Sequence, residues 1–441
     1  MKKLLLLFGV ASLLLWSTAA YATFNSGSTG ALGNFTTTVN RVIALPPNGV
    51  LNYGTITIGS GATVTFTPNA ANTPVYMLAT GDVNIAGTIN VNGSNATAAI
   101  PGTGGPGGFA GGYGGDINTT GGIGLGPGGG NYGGSGAGGG GGGGYGAVGG
   151  NGWSGTNPGA GGGIYGTATL LPIMGGSGGG GGGGSGSYVG TPGGGGGGAI
   201  VIASSTSITI TGSITANGGT GYYIYARGDG GGGSGGAIRL VSNIVSGNGS
   251  ITAQGGTGGD RAGNGGLGRI RIEAAVNNRN AVTSPAYSYG LPGNVFVASM
   301  PSLTITSVGG ASAPASPTGN YNQPDILLPS TTTNPVTVSV SAANIPDGAS
   351  VTIEDIPQYG TVSSATALLS GGQASGSVNL STTYSNVVTA QATFTITAFN
   401  YNGEEIDKVR VAARYGGKSE ITYITKSGKE IKGDLVAGLV R

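Results

Sequence analysis

Ala199-Ile-Val-Ile-Ala-Ser-Ser-Thr-Ser-Ile-Thr-Ile-Thr-Gly-Ser-Ile-Thr-Ala-Asn-Gly218 decides the fold. Apolar residues alternate at Ile200/Ile202, Ile208/Ile210 and Ile214/Ala216. Alternation with period two in short β-branched runs describes strands with one buried face. The stretch therefore reads as three short strands separated by Ser, Thr and Gly. It also recurs. Gly212-Ser-Ile-Thr-Ala-Asn-Gly218 returns as Gly249-Ser-Ile-Thr-Ala-Gln-Gly255, is preceded by Gly87-Thr-Ile-Asn-Val-Asn-Gly93, and has a looser relative in Gly54-Thr-Ile-Thr-Ile-Gly59. The opening phrase returns as Ala237-Ile-Arg-Leu-Val and Arg269-Ile-Arg-Ile-Glu, so the later units repeat every 32 to 38 residues. A period in this range marks stacked repeats, in which no unit can bury its own inner face alone. The expected body, over 49–300, is all-β: a right-handed parallel β-helix with glycine-rich loops.

Between the units lies glycine. The chain has 441 residues, 101 of them Gly, nearly a quarter against a usual share of roughly 7%. The main insert is 101–198, about half of it Gly, with seven-residue runs at Gly138–Gly144 and Gly178–Gly184. Two readings stand. One is a disordered loop, since such a segment buries little apolar area. The other is a polyglycine-type bundle of extended helices with three residues per turn, whose neighbours satisfy each other's backbone groups. Phe109, Tyr113, Tyr132, Tyr145, Trp153 and Tyr165 punctuate the insert as anchors for the second reading.

Composition removes several chemistries. There is no Cys and no His. Disulfide frameworks, thiolate metal sites and a Ser-His-Asp triad are excluded. Gly175-Gly-Ser177-Gly-Gly179 and Gly232-Gly-Ser234-Gly-Gly236 match a serine-nucleophile pattern, but no base and no strand–elbow–helix context accompanies them. Met1-Lys-Lys3, the apolar run Leu4–Trp16 and Ala20-Tyr-Ala22 form a secretory signal peptide over 1–22. The expected chain is exported, to the extracellular space or a bacterial cell surface, with no membrane span after cleavage. Its net charge of +2 falls to about zero without Lys2 and Lys3, which points away from nucleic acid. Residues 23–48 are expected to cap the solenoid.

The Ala-Ile-Val-Ile … Gly-Ser-Ile-Thr-Ala-Asn-Gly pattern with Gly-rich loops resembles exported glycine-rich parallel β-helix proteins of bacterial surfaces. The long Gly runs resemble the polyglycine bundles of some phage tail-tip adhesins. After Pro301 the glycine runs stop, and Ser302–Ser307, Val336–Val340, Val351–Ile353 and Ala392–Thr397 read as alternating strands of a β-sandwich over 301–415. Asn344-Ile-Pro-Asp-Gly348 before Ser350-Val-Thr-Ile353 resembles a bacterial Ig-like module, without the antibody-type Cys and Trp. The tail 416–441 is charged; with Lys408 it holds all the lysines beyond the leader, and Lys426-Ser-Gly-Lys429 reads as a hairpin turn.

Two clusters are candidates for chemistry. Arg227, Asp229, Asp260 and Arg261 occupy similar places in successive loops, Asp229 nine residues before Ile238 and Asp260 ten before Ile270. Parallel strands stand about 4.8 Å apart, so the two carboxylates form a ligand-binding or glycosidase-type acid pair, or an Arg-compensated edge. Tyr222, Tyr223 and Tyr225 are candidates for stacking on sugar rings or for covering the solenoid edge. Polysaccharide lyases with β-helix folds generally need a cluster of acids and a Lys or Arg base, and the body has no lysine at all, which weakens the enzyme reading. The expectation is therefore a non-enzymatic exported surface or matrix protein used in adhesion, with polysaccharide or a cell-surface receptor as partner and self-association open. No cofactor or metal is expected. The alternatives are a carbohydrate-active β-helix enzyme using Asp229 and Asp260, and an ice or mineral binder using flat Thr/Ser/Gly arrays.

Overall fold

The computed structural model describes residues 23–69, 72–153, 156–224, 227–296, 301–314, 317–358, 360–401, 404–413 and 419–432. The expected leader 1–22, Tyr225, and the tail residues 416–418 and 433–441 lie outside them. The described chain is all-β, without a helix.

The N-terminal part contains β1 (Phe35–Thr37), β2 (Arg41–Ala44), β3 (Val50–Tyr53), β4 (Ile56–Ile58), β5 (Thr63–Thr67), β6 (Val75–Ala79), β7 (Val83–Ile85), β8 (Thr88–Asn90), β9 (Ala199–Ile210), β10 (Ser213–Thr215), β11 (Ala237–Ser246), β12 (Ser250–Thr252), β13 (Arg269–Asn277) and β14 (Ser288–Gly290). They form two parallel sheets. The nine-stranded sheet runs β1-β4-β7-β9-β11-β13-β14, with β3 on β6 and β6 on the first half of β9. The five-stranded sheet runs β12-β10-β8-β5-β2. The repeated phrases align without slippage: Ile200 pairs with Ile238, and Ile238 with Ile270. Ile89, Ile214 and Ile251 likewise align in the other sheet. A one-residue slip would turn the isoleucine rank outward, so burial of one face holds the register. The inward-facing isoleucines of both sheets, among them Ile56, Ile89, Ile200, Ile214, Ile238 and Ile270, form one buried core with Met77, Val83 and Leu240.

The strands do not all bury a single face, as the alternation suggested. Residues Ala199–Ser204 and Ala237–Ser242 are buried at every position. Val201, Ala203 and Val241 point away from the isoleucine core and meet Tyr145, Tyr165, Leu170 and Ile173 of the glycine-rich insert. Of the aromatic anchors expected in the insert, Tyr145 and Tyr165 are buried, whereas Tyr113, Tyr132 and Trp153 are exposed. Burial raises the Tyr165 phenol, whose hydroxyl caps the Gly175 carbonyl.

The recurrent Asn or Gln before glycine is explained by a ladder. The Asn92 Oδ1 accepts the Asn217 N–H at 2.7 Å, and the Asn217 Oδ1 accepts the Gln254 N–H at 2.8 Å. Each amide thus ties one repeat to the next. The segment from Phe24 is bonded along the stack before it reaches the ends of the sheets. Phe24 bonds Asn243, Ser26 bonds Ala79 and Ser205, and Ser28 bonds Tyr53. It then enters β1 and β2, the terminal strands of the two sheets. At the other end Glu273, 3% exposed, binds Arg239 at 2.8 Å and Arg271 at 3.1 Å, while Arg239 also donates to the Asn294 and Val295 carbonyls. This buried network holds the segment after β14 against the sheet.

The glycine segments are packed and hydrogen-bonded between segments. The pattern has a period of three. Along one side, the N–H groups of Gly176, Gly179 and Gly182 donate to the carbonyls of Gly197, Gly194 and Thr191. On a second side, Gly178, Gly181 and Gly184 donate to Leu125, Gly122 and Thr119. On a third, Gly180 and Gly183 donate to Gly141 and Gly138. The segment 176–184 thus serves three neighbours in rotation, as fits an extended helix with three residues per turn. Side chains are excluded by proximity: a Cβ on Gly142 would lie 1.9 Å from the Asn264 carbonyl oxygen.

The C-terminal part contains β15 (Ser302–Val308), β16 (Ala311–Ser312), β17 (Val336–Ala343), β18 (Ser350–Pro357), β19 (Ser363–Leu368), β20 (Gln373–Val378), β21 (Asn386–Tyr401), β22 (Glu404–Ala413), β23 (Ser419–Thr425) and β24 (Glu430–Lys432). A four-stranded antiparallel sheet, β16-β15-β17-β20, and a six-stranded one, β19-β18-β21-β22-β23-β24, share a core of Leu303, Val338, Val351, Ile353, Val409 and Tyr423. Lys426 and Ser427 form the expected turn between β23 and β24, with Lys426 paired to Glu405.

Candidate functional site

The glycine segments run outward from the nine-stranded sheet and back. Gly176 to Gly184 spans about 25 Å at roughly 3.1 Å per residue. Several described segments are tied together at the outer end. The Gly186 N–H donates to the Asn118 Oδ1 at 2.8 Å, linking the turns at 116–119 and 185–188. The Gly136 N–H donates to the Gly184 carbonyl, and the Gly134 N–H to the Asn157 carbonyl, bringing in the turn at 135–137 and Asn157. The Trp153 N–H donates to the Arg261 carbonyl at 3.1 Å. The Arg261 N–H donates to the Asp229 Oδ2 at 2.9 Å. The Arg227 guanidinium stands 5.3 Å from the centre of the Tyr188 ring. One face therefore collects turns that are up to 145 residues apart in sequence.

The described candidates all reach this end, but in different roles. Asp229 is fully buried. Its carboxyl is pushed up by burial, against the pull of the Arg261 and Ile224 N–H groups and the Arg261 charge, with the Asp260 charge pushing it further up. Gly259 closes over it, since a Cβ there would lie 2.4 Å from the Asp229 Cβ. Asp260 is exposed. The two carboxylates are thus neighbours in unlike surroundings, with one holding a loop and the other facing solvent. Tyr222 is half-buried, and its carbonyl accepts the Thr191 hydroxyl at 2.6 Å. Tyr223 is 46% exposed.

Three further exposed side chains join Tyr223 on this face: Trp153, Tyr188 and Ile117. Sequence reasoning placed Trp153 among the anchors and overlooked Tyr188. A signal was present, because Ser185-Gly-Ser-Tyr188 interrupts the bundle immediately after the Gly178–Gly184 run. An interruption of a packed glycine segment is tolerated at its free end.

The two serine motifs are structural. Ser177 and Ser234 are fully buried. The Ser234 Oγ accepts the Ser177 N–H, and the Ser177 Oγ accepts the Gly128 N–H and bonds the Tyr165 hydroxyl. They fill sites where a neighbouring segment's N–H needs an acceptor. Among the described residues no group of three or more Asp or Glu side chains is arranged to hold a metal ion, and no helix is long and apolar enough to cross a membrane. In the antiparallel part, a cavity of about 620 Å³ lies between β15, residues 313–314 and 317–332, and Asn386–Thr389. No protein-family model, curated protein or solved structure matches the chain.

Proposed function

We propose that this chain is a non-enzymatic, exported surface or matrix protein, in which a right-handed parallel β-helix carries a laterally projecting polyglycine bundle and an Ig-like sandwich follows. In this reading the helix and bundle are a rigid arm, and the outer turns of the bundle are the adhesive face. One observation carries it: Trp153, Tyr188, Tyr223 and Ile117 are solvent-exposed on hydrogen-bonded turns at the end of a rigid bundle. Exposed apolar side chains grouped on one face mark interaction sites. Tyr and Trp present large faces at low entropic cost, which suits stacking on sugar rings. The burial of Asp229 beneath Gly259 favours a structural role for that carboxylate over acid–base work.

The test is glycan-array and cell-surface binding by the mature chain and by Trp153→Ala/Tyr188→Ala/Tyr223→Ala. Selective binding that falls at least about tenfold in the triple variant, with an unchanged melting temperature, is expected. Equal binding by the variant would remove the adhesive role from this face. Absence of binding to any glycan or cell surface would remove the adhesin reading itself.

A further inference from the structure

The outer end of the bundle also holds a cation that the chain leaves unmatched. Arg239, Arg269, Arg271 and Arg279, beside the parallel sheets, each donate to carbonyl or carboxylate oxygens. The Arg227 guanidinium makes no hydrogen bond and no ion pair among the described residues. It lies against the Tyr188 ring, 5.3 Å from its centre. The backbone holds it there. The Arg227 N–H donates to the Ile224 carbonyl at 3.3 Å. Thr191 ties both flanks, its hydroxyl donating to the Tyr222 carbonyl at 2.6 Å and its N–H to the Gly228 carbonyl at 2.9 Å. The acids at this end are engaged elsewhere. The Asp116 Oδ1 accepts the Ile117 N–H at 2.7 Å. Asp229 is buried and feels the Arg261 charge, and Asp260 precedes Arg261 in the chain.

We infer that the ligand of this face is an acidic polysaccharide, one of whose sugar carboxylates pairs with Arg227; the inference rests on the adhesive reading of the face. A guanidinium held over a ring keeps its N–H donors at its edge. A carboxylate accepts two of those donors at once, and no acceptor in the described chain competes for them. The number of cations selects the class of partner. A nucleic acid or an anionic bilayer presents many close charges and is bound by clusters of Lys and Arg. The insert 101–198 contains no Lys or Arg, so Arg227 and Arg261 are the cations of this end, and Arg261 has Asp229 and Asp260 beside it. One unmatched guanidinium suits one carboxylate carried on a sugar ring. The same face offers the exposed rings of Trp153 and Tyr223, on which the neighbouring sugars stack.

The experiment measures binding of the mature chain to uronic- and sialic-acid glycans, and to the same glycans with each carboxyl reduced to an alcohol. Affinity is expected to fall about tenfold or more on reduction, and by as much in Arg227→Gln with an unchanged melting temperature. Arg41→Gln, which removes an equal charge on β2, should leave binding unchanged. Equal affinity for the reduced glycans overturns the inference and leaves the adhesive reading standing, as does full binding by a folded Arg227→Gln. An equal loss in Arg41→Gln overturns it too, since net charge alone would then act. If Arg227→Gln does not fold, the comparison of acidic and reduced glycans on the natural chain decides. Binding to cell-surface protein or to anionic vesicles without glycan binding overturns the inference alone. Binding to none of these removes the adhesive reading together with it.

Discussion

Gly162 and Gly163 are adjacent in one glycine segment and predict opposite responses to the same substitution. A Cβ on Gly162 would lie 1.8 Å from the Gly128 carbonyl oxygen and 2.8 Å from the Gly144 nitrogen. Ordinary contact begins near 3.4 Å, so the two segments must separate by about 1.6 Å. A shift of that size breaks the bonds from the Gly162 N–H to the Gly142 carbonyl and from the Gly149 N–H to the Gly162 carbonyl, both 2.9 Å. Each broken bond that leaves a buried group unpaired costs about 1–3 kcal/mol, so Gly162→Ala should destabilise the bundle by about 3–5 kcal/mol. A Cβ on Gly163 would meet nothing within 4 Å, and its φ lies outside the left-handed region. Gly163→Ala should stabilise by about 0.4–1 kcal/mol, through the lower entropy of the unfolded chain. Opening is expected to be local, so a global melting curve is the weaker probe. Amide hydrogen exchange across 139–163 reads it directly. Protection should fall by about two to three and a half powers of ten in Gly162→Ala, since 1.4 kcal/mol corresponds to tenfold, and should hold or rise in Gly163→Ala. Equal protection in the two variants would refute the close-packing account of the insert.

Three other outcomes follow from the fold. Glu273→Gln leaves the buried Arg239 guanidinium without its counter-charge and should cost about 3–5 kcal/mol in urea unfolding; a loss below about 1 kcal/mol would show that the network is not a clamp. Asn217→Leu removes the acceptor for the Gln254 N–H and should cost about 1–2 kcal/mol, whereas Asn217→Asp keeps an acceptor and should cost less; equal losses would argue against the ladder. Asp355 is fully buried with neither carboxylate oxygen partnered, and burial pushes its carboxyl up to about 6 from 3.8. The unfolded chain ionises first as pH rises, so the antiparallel part should lose stability between about pH 4 and 6 and stay lower above that window. Asp355→Asn should flatten the profile and melt higher at pH 7, and a natural chain whose stability instead rises across that window would contradict the burial argument.

Much of the parallel core was legible because its signal is local. Ile200, Ile238 and Ile270 each sit in an alternating run, and the recurring phrases place them at equal points of a repeat. The extra cover over Val201, Ala203 and Val241 was not legible, because Tyr145 and Leu170 reach them from a different segment. The candidate site was half-read. Tyr222, Tyr223, Arg227, Asp260 and Arg261 were singled out by their position between glycine runs, and they do lie on or beside one face. Their neighbours there, Tyr188, Trp153 and Ile117, come from turns whose adjacency depends on how the insert folds back.

By itself the sequence determined the strand periodicity, the repeat length, the register-setting isoleucines, the absence of Cys and His chemistry, and the points where glycine runs break. These properties depend only on near neighbours along the chain, and alternation or steric freedom expresses them directly. Tertiary structure alone decided which glycine segment lies against which, because a run without side chains carries no address of its own. Anchoring of Tyr145 and Tyr165 on the outer face of the sheet, and the fit of segment N–H groups to the carbonyls of neighbouring segments, select the arrangement. The same packing buries Asp229 and leaves Asp260 in solvent, although the two stand at matching places in the repeat.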